Sequence, residues 1–220
     1  MDSIKEALII SFYSHKLHVE DACNLQYPSD GMMELCEDIL SCLLNVECEE
    51  IIRIIQKIGI VFEISHGDVP QFSSLEDCVY KVPLLVKDCG IDEPTYTQLG
   101  FMLRTKPRKE GADMKYGENQ SKTAAQMGLC SISNARIHPS YLGVTYCNLD
   151  KELQTKLLPK LIIFIPYIFN QFATNAEYED IIASVSFLSQ STQKRRLTNI
   201  WSLINQVNKV LPYELQIIRY

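Results

Sequence analysis

The chain has 220 residues, of which 46% are hydrophobic and 22% charged, a composition typical of globular proteins that bury a core. Its most apolar run, residues 157–169, is interrupted by two prolines and a lysine, and it falls short of the roughly 18 apolar residues that a membrane span needs. The N-terminus carries Asp2 and Glu6 and no small-residue cleavage site, which argues against a signal peptide. We therefore expect a cytoplasmic protein with no membrane contact.

The net charge of −6 conceals an asymmetry along the chain. Residues 1–93 contain 6 Lys and Arg against 18 Asp and Glu, a balance of −12, whereas residues 94–220 contain 15 against 9, a balance of +6. A basic part joined to an acidic part indicates two kinds of partner. We expect phosphate groups to meet the basic part and protein to meet the acidic part.

The eight cysteines include no Cys-x-x-Cys pair, and six of them lie in stretches with a helical apolar pattern. Reduced, buried thiols are therefore expected rather than disulfides. His15, His18 and Cys23 offer three possible zinc ligands, but the sequence has no matching second pair for them. Neither a metal nor another cofactor is predicted.

Residues 1–65 are acidic and predict a helical region that serves docking or dimerisation. Apolar residues recur at helical spacing between Met32 and Ile60, and Gly59 is a helix stop. Residues 61–64 (VFEI) predict a short strand. Residues 66–74 (HGDVPQFSS) combine Gly, Pro and Ser and predict a linker.

Residues 75–150 predict a winged helix-turn-helix domain from the order of their elements. In chain order these are one helix over 75–90, or two split at Pro83, a helix over 95–103, a polar stretch over 104–117, a helix over 118–130 and a β-hairpin within 132–149. In the third helix Asn119 is the expected cap and Gly128 the expected end.

Residues 151–220 predict a second, C-terminal helix-turn-helix unit. Its elements are a long apolar helix over 150–173 kinked near the prolines, a helix over 175–188 capped by Asn175, and a helix from about Thr192. One face of the last helix is apolar and is expected to pack against residues 160–188, through Leu197, Ile200, Trp201, Ile204 and Val207. The expected fold class is mainly α, with tandem winged helix-turn-helix units, an N-terminal helical region and a small β-hairpin wing.

The first turns of the last helix carry candidate DNA contacts. Ser189 or Ser191 can cap this helix, and helix N-termini attract phosphate groups. The polar and basic side chains that follow are placed where a recognition helix contacts DNA, namely Ser191, Thr192, Gln193, Lys194, Arg195 and Arg196. The alternative is a solvated basic face on a helix that only packs.

A second set of candidate DNA contacts surrounds the helix predicted over 118–130. Asn and Gln side chains suit adenine, and Lys and Arg suit guanine and phosphate. The set consists of Arg104, Lys106, Arg108, Lys109, Lys115, Asn119, Gln120, Ser121 and Lys122. Here the alternative is a charged surface loop.

The motif Asp113-Met-Lys115 matches the Asp-x-Lys end of restriction-type nuclease sites, in which carboxylates hold Mg²⁺. Those sites also need an upstream acid, usually in a Pro-Asp pair, and no Pro-Asp pair occurs in the sequence. Asp113 is moreover predicted in a loop. Phosphate-binding loops and nucleophile motifs are absent too, so no catalytic residue is predicted.

Two stretches resemble a known group of proteins. YGENQSKTAAQMGL (116–129) and LSQSTQKRRLTNIWSLI (188–204) resemble winged-helix domains associated with bacterial restriction and other anti-phage systems, and VPQFSSLED (69–77) is similar to the lead-in of that group. The resemblance covers residues 69–210. Because the chain lacks a nuclease motif, it is similar instead to accessory subunits of SMC-type, Lamassu-like or three-component ATPase defence systems.

The resemblance and the charge pattern together predict a non-catalytic accessory subunit of a prokaryotic anti-phage complex. It would bind double-stranded DNA through its basic part and dock to a larger ATPase or nuclease subunit through its acidic part. Two alternatives stay open at this point. One is an assembly subunit that contacts only protein, and the other is a DNA-specificity component or small nuclease of a restriction system.

Overall fold

A computed structural model describes residues 30–90, 92–106 and 109–219. The described part is mainly helical with one small antiparallel hairpin, which confirms the mainly α class. It forms two compact units, one of residues 72–154 with 30–42 and the other of residues 43–71 with 155–219. None of the helices in these ranges is long and apolar enough to cross a membrane. The possible ligands His15, His18 and Cys23, and the candidate contact Arg108, lie outside the described residues.

The regular elements are named in chain order. They are α1 (Asp30–Asn45), α2 (Cys48–Ile58), α3 (Val82–Cys89), α4 (Tyr96–Leu103), α5 (Glu110–Gln126), β1 (Cys130–Ser133), β2 (Arg136–Pro139), α6 (Tyr141–Cys147), α7 (Lys151–Ile163), α8 (Pro166–Ala173), α9 (Tyr178–Ala183) and α10 (Gln190–Asn208). A π-helical turn, Asp77–Lys81, leads directly into α3, and a 3-10 turn, Tyr213–Leu215, follows α10.

Local capping sets the limits of several elements in the first unit. The Thr95 hydroxyl accepts a hydrogen bond from the N–H of Gln98, and the Gln98 side chain accepts one from the N–H of Thr95. This capping box starts α4. Ser140 starts α6 in a similar way, because its hydroxyl accepts from the N–H of Gly143 at 2.9 Å. Gly128, with a φ of 79°, follows the end of α5 as predicted.

The hairpin is shorter than the sequence pattern predicted. β1 and β2 pair from Cys130 opposite Pro139 to Ser133 opposite Arg136, and the two turn residues between them have positive φ. The segment that was expected to continue the hairpin is helical, because Ser140 caps α6 immediately after β2. An isolated bridge joins Thr95 to Arg136, so the residues before α4 lie along the free edge of β2.

Helix α5 differs most from the sequence-based prediction. It begins at Glu110, whereas the prediction placed the helix start at residue 118 and the preceding residues in a loop. Asn119 therefore lies inside the helix and does not cap it. The two glycines of α5, Gly111 and Gly117, are poor helix formers, and for this reason the segment was predicted as a loop. Gly117 is nevertheless accommodated, because it packs against α4.

In the second unit, the predicted long helix over 150–173 is two helices, α7 and α8. Pro159 lies inside α7 without ending it, whereas Pro166 lies in the first turn of α8. The helix is therefore interrupted just before Pro166. The helix predicted over 175–188 is also shorter, since α9 ends at Ala183 and its cap is Glu177, not Asn175. The continuous helix predicted up to residue 60 is interrupted between α1 and α2.

In the second unit α8 packs against α2 and against α10, and α7 adds further buried apolar side chains. Ile200, Trp201, Ile204 and Val207 of α10 are buried as predicted, and Trp201 stacks on Tyr178 with ring centroids 5.7 Å apart. Leu197, in contrast, is only half-buried. The apolar face of α10 is therefore structural, and it fixes which of its other residues reach solvent.

Candidate nucleic-acid interface

Helices α4 and α5 cross at two glycines. A Cβ atom added to Gly117 would lie 2.0 Å from the carbonyl oxygen of Tyr96, and one added to Gly100 would lie 1.9 Å from that of Asp113. Real Cβ atoms essentially never come within 3.0 Å of another heavy atom. The backbones of the two helices therefore touch, and this contact fixes which face of α5 points to solvent.

Polar side chains on the inner face of α5 bind the segment before α3. The Tyr116 hydroxyl donates to the carboxylate of Asp77 at 2.6 Å. Gln120 accepts from the N–H of Ser73 at 2.9 Å and donates to the carbonyl of Ser74 at 2.7 Å. These bonds anchor α5 to this segment, and the side chains of Asp77 and Gln120 that take part in them are buried.

Two residues that were predicted to contact DNA are buried in this packing instead. Gln120 is 0% exposed and forms the bridge just described. Ser121 is also 0% exposed, and its hydroxyl donates to the carbonyl of Gly117 at 2.8 Å. Both side chains serve the fold, and neither is at the surface that a nucleic acid could reach.

The outer face of α5 carries Lys115, Glu118, Asn119 and Lys122. The ammonium groups of Lys115 and Lys122 lie 2.8 and 2.7 Å from the carboxylate of Glu118. The hydrogen bond from Lys115, followed by that from Lys122, lowers the pKa of the Glu118 carboxyl. The three charged side chains sum to +1, and the half-buried amide of Asn119 makes no hydrogen bond with the described residues.

Three basic residues of the described ranges precede this face or lie at its start. Lys106 and Lys109 are exposed and form no ion pair within the described ranges. Arg104 differs, because its guanidinium pairs with Asp113 at 3.1 Å and lies 3.8 Å from the centroid of the Phe101 ring. Lys106 and Lys109 are thus open to a ligand, whereas Arg104 has a structural role.

The nuclease-like motif takes a different form from the one predicted. Asp113 lies in α5 and not in a loop, it is 3% exposed, and one of its oxygens is bound to Arg104. Its other oxygen, Oδ1, is buried without a hydrogen-bond partner in the described part of the chain. Among the described residues no group of three His, Cys, Asp or Glu side chains is placed to hold a metal ion.

The second candidate surface lies at the start of α10. The helix begins at Gln190 with Ser189 as its first capping position, so Ser191 lies within the first turn and does not start the helix. The Ser189 hydroxyl donates to that of Thr192 at 2.9 Å. The side chain of Gln193 turns back to the carbonyl of Leu188 at 2.7 Å. Thr192 and Gln193 therefore stabilise the turn that precedes the helix.

The three consecutive basic residues of α10 do not act together. Lys194 and Arg195 are exposed and form no ion pair within the described ranges. Arg196 is 8% exposed, and its guanidinium donates to the carbonyl oxygen of Val69, which is itself completely buried. Arg196 thus binds the segment that was predicted as a linker. The surface at this helix start consists of Ser191, Lys194 and Arg195.

The cysteines of the described residues are all free thiols. Burial raises the pKa of Cys36 and of Cys48 to about 11, and it raises that of Cys130 further. These side chains are therefore neutral at physiological pH, when a thiolate would be needed for nucleophilic or metal chemistry.

Comparison of the chain with protein-family models, with curated proteins and with solved structures finds no match.

Proposed function

We propose that the chain binds duplex DNA through a winged helix-turn-helix formed by α3, α4, α5 and the hairpin, with α5 as the recognition helix. The observation that carries this proposal is the outer face of α5. It presents Lys115, Asn119 and Lys122 at spacings of four and three residues on a helix whose other face is buried and anchored. The bridge between Thr95 and Arg136 supplies the short extra strand that a wing commonly includes.

The side chains of this face suit the chemistry of the major groove. A free amide such as that of Asn119 can bind adenine through two hydrogen bonds, and lysine binds guanine or phosphate. Lys109 is the capping residue of α5 and Lys106 lies three residues before it, and the N–H groups at a helix start favour a phosphate. When DNA binds, its phosphates compete with Glu118 for the two lysines. Glu118 thereby weakens non-specific binding.

The start of α10 is proposed as a second contact with the DNA backbone. Lys194 and Arg195 are exposed cations without a carboxylate partner in the described ranges, and Ser191 adds a hydroxyl in the same helical turn. These groups match phosphate oxygens, and they include no amide side chain of the kind that binds adenine. We therefore assign affinity more than sequence preference to this surface.

The likeness to restriction-associated winged-helix domains supports a place in a prokaryotic anti-phage complex, beside an SMC-like ATPase or an effector nuclease. In that setting the acidic part of the chain is the side that docks to protein. No role in catalysis is proposed for this subunit.

A specific observation favours a second candidate, an assembly subunit that contacts protein alone. Phe101 is 57% exposed and Met102 37%, and both line an open cavity of about 380 Å³ together with Cys89, Pro94 and Gln98. Exposed apolar groups around a cavity are typical of protein contacts. This candidate predicts that the isolated chain does not bind DNA.

Fluorescence anisotropy with labelled duplex DNA, measured over a series of salt concentrations, separates the two candidates. For the wild type we expect a linear fall of the logarithm of affinity with the logarithm of salt concentration. Replacing Lys115 and Lys122 by Ala should reduce that slope by about 2, because each lost phosphate contact removes about 0.9. The matched control replaces Lys57 and Lys209, two exposed lysines of the other unit. Equal effects of the two double substitutions, or no binding at low salt, would refute DNA binding through α5.

A further inference from the structure

The sequence predicted a short strand over residues 61–64, but the structure has no strand there, and residues 60–65 are in neither a helix nor a strand. The side-chain amide of Asn170 donates to the carbonyl oxygen of Phe62 at 2.7 Å and accepts from the N–H of Phe62 at 2.9 Å. This is the pair of bonds that a residue in an adjacent antiparallel strand would make. Burial also alternates along the segment, with Val61 and Glu63 exposed and Phe62 and Ile64 half-buried. The segment is therefore an extended edge held from one side.

The opposite side of this edge has no hydrogen-bond partner in the part of the chain that the structure describes. In a strand the N–H and C=O groups of successive residues point in opposite directions, so those of Val61 and Glu63 point away from Asn170. No hydrogen bond joins these four groups to any residue that the structure describes. The side chains beside them are apolar and open to solvent, Ile60 being 47% exposed and Val61 57%. Such an edge is a template for one further strand.

We propose that this edge pairs with the same segment of a second copy of the chain, as an antiparallel two-stranded ribbon. The sequence Ile-Val-Phe-Glu-Ile is close to a palindrome, and a two-fold axis at Phe62 makes the two edges identical. In this register Val61 lies opposite Glu63 of the other copy, and each residue of the pair exchanges an N–H and a C=O with the other. The proposal is independent of DNA binding.

The charges and apolar groups of the segment fit this register. Glu63 faces Val61 of the second copy, so that the two carboxylates do not face each other, as they would if the strands slipped to pair Glu63 with itself. On the other face Ile60 meets Ile64, and Phe62 meets Phe62, which are favourable cross-strand pairs. A ribbon of this length buries less than the roughly 1,000 Å² of a stable interface. We therefore expect a weak dimer whose population rises with concentration.

Analytical ultracentrifugation of the full chain from micromolar to millimolar concentration tests the proposal. Glu63→Pro removes the N–H that points to the second copy, and Glu63→Gln is the matched control, since it removes the same charge but keeps the N–H. By symmetry the proline removes two inter-strand bonds, so the dissociation constant should rise at least about tenfold relative to that of the glutamine variant. The bond between Phe62 and Asn170 is preserved in both variants.

Amide hydrogen exchange of the wild type gives a second measurement that needs no substitution. The N–H groups of Val61 and Glu63 should exchange more slowly as the protein concentration rises, while that of Phe62 is protected at every concentration. A chain that stays monomeric throughout overturns the proposal. A dimer that tolerates Glu63→Pro as well as Glu63→Gln, without slower exchange at Val61, assigns self-association to another surface and overturns it too. So does an edge that another protein's strand occupies while the chain itself stays monomeric.

Discussion

Substitution of Gly117 by Ala tests the contact between α4 and α5. In a solvent-exposed helix this change stabilises by about 1 kcal/mol, because alanine is the better helix former. Here the new Cβ would lie 2.0 Å from the carbonyl oxygen of Tyr96, whereas ordinary contact begins at 3.4 Å. The helices must therefore separate by about 1.4 Å, the difference between these two distances. The obstructing atoms belong to the backbone, so no side chain can rotate away.

Overpacking of a core costs about 1–3 kcal/mol, and a clash between two backbones lies at the upper end of that range. After the gain in helix propensity is subtracted, we expect Gly117→Ala to lower the free energy of unfolding by about 2 kcal/mol. Gly111→Ala is the control in the same helix, because a Cβ at Gly111 meets nothing within 4 Å. It should leave stability unchanged or raise it by up to about 1 kcal/mol.

Urea unfolding followed by far-ultraviolet circular dichroism measures both variants. The only tryptophan, Trp201, belongs to the other unit, so its fluorescence is not the readout for this contact. The reasoning fails if the unfolding midpoints of the two variants shift in the same direction by the same amount. If Gly117→Ala is the less stable variant, its affinity for DNA should fall as well, because the outer face of α5 is then displaced.

Three further predictions concern charged side chains. Lys160→Met removes the buried ammonium that binds the carbonyl groups at the end of α1, and it should lower the free energy of unfolding, measured in urea, by about 1–3 kcal/mol. Lys156→Met, at an exposed position of the same helix, is the control and should lower it by less than about 0.5 kcal/mol. Arg104→Met leaves the buried carboxylate of Asp113 without its cation and should lower the free energy of unfolding by about 2 kcal/mol. Adding Asp113→Asn should recover part of this loss, and purely additive effects of the two substitutions would contradict the pairing. The lowered pKa of Glu118 stabilises the fold above the pKa that Glu has when unfolded, about 4.3, and this contribution is lost as the pH falls through the folded value. The difference in urea midpoint between the wild type and Glu118→Gln should therefore shrink below about pH 4. At neutral pH the variant should bind DNA more tightly than the wild type, and weaker binding would contradict the reasoning.

The mainly helical class and a hairpin after α5 could be predicted from the sequence, whereas helix α6, the division into α7 and α8 and the start of α5 could not. Its buried residues follow helical spacing but are small or polar, namely Asp113, Gly117, Gln120, Ser121, Thr123 and Ala124. A search for apolar periodicity does not detect such a face. The detectable signal is the pairing of Gly100 with Gly117, since two glycines at the facing positions of neighbouring helices indicate backbone contact.

The candidate site shows a related limit. Arg196 and Gln120 are types that bind DNA on a surface, and nothing in their local sequence reveals that the carbonyl groups of Val69 and Ser74 lie beside them. Their partners are 127 and 46 residues away in the chain. Side chains that bind distant backbone groups show no local sequence pattern. Residues that only need to be exposed do show one, and their position on a helix was enough to assign Lys122, Lys194 and Arg195 to the surface.

The strand predicted over residues 61–64 from their residue types is absent from the structure, and the backbone of Phe62 is bonded instead to a single side chain, that of Asn170. Strand propensity describes how side chains fit a pleated surface and does not specify what pairs with the backbone. The segment therefore lacks a strand's ladder of hydrogen bonds because no neighbouring strand lies beside it among the described residues, and not because of its residue types.

The division of the chain into two units has a consequence for how the protein is made and cut. Each unit combines two separate stretches of sequence, so the polypeptide passes from one unit to the other near residues 42, 71 and 154. On a ribosome the unit containing α5 has all its residues once the chain has passed residue 154. In the unit containing α10, α2 packs against α8, so α2 has no partner until residues 166–173 have been made. Residues 75–220 expressed alone would lack α2, which packs against α8, and a fragment ending near residue 154 would keep α2 without α8.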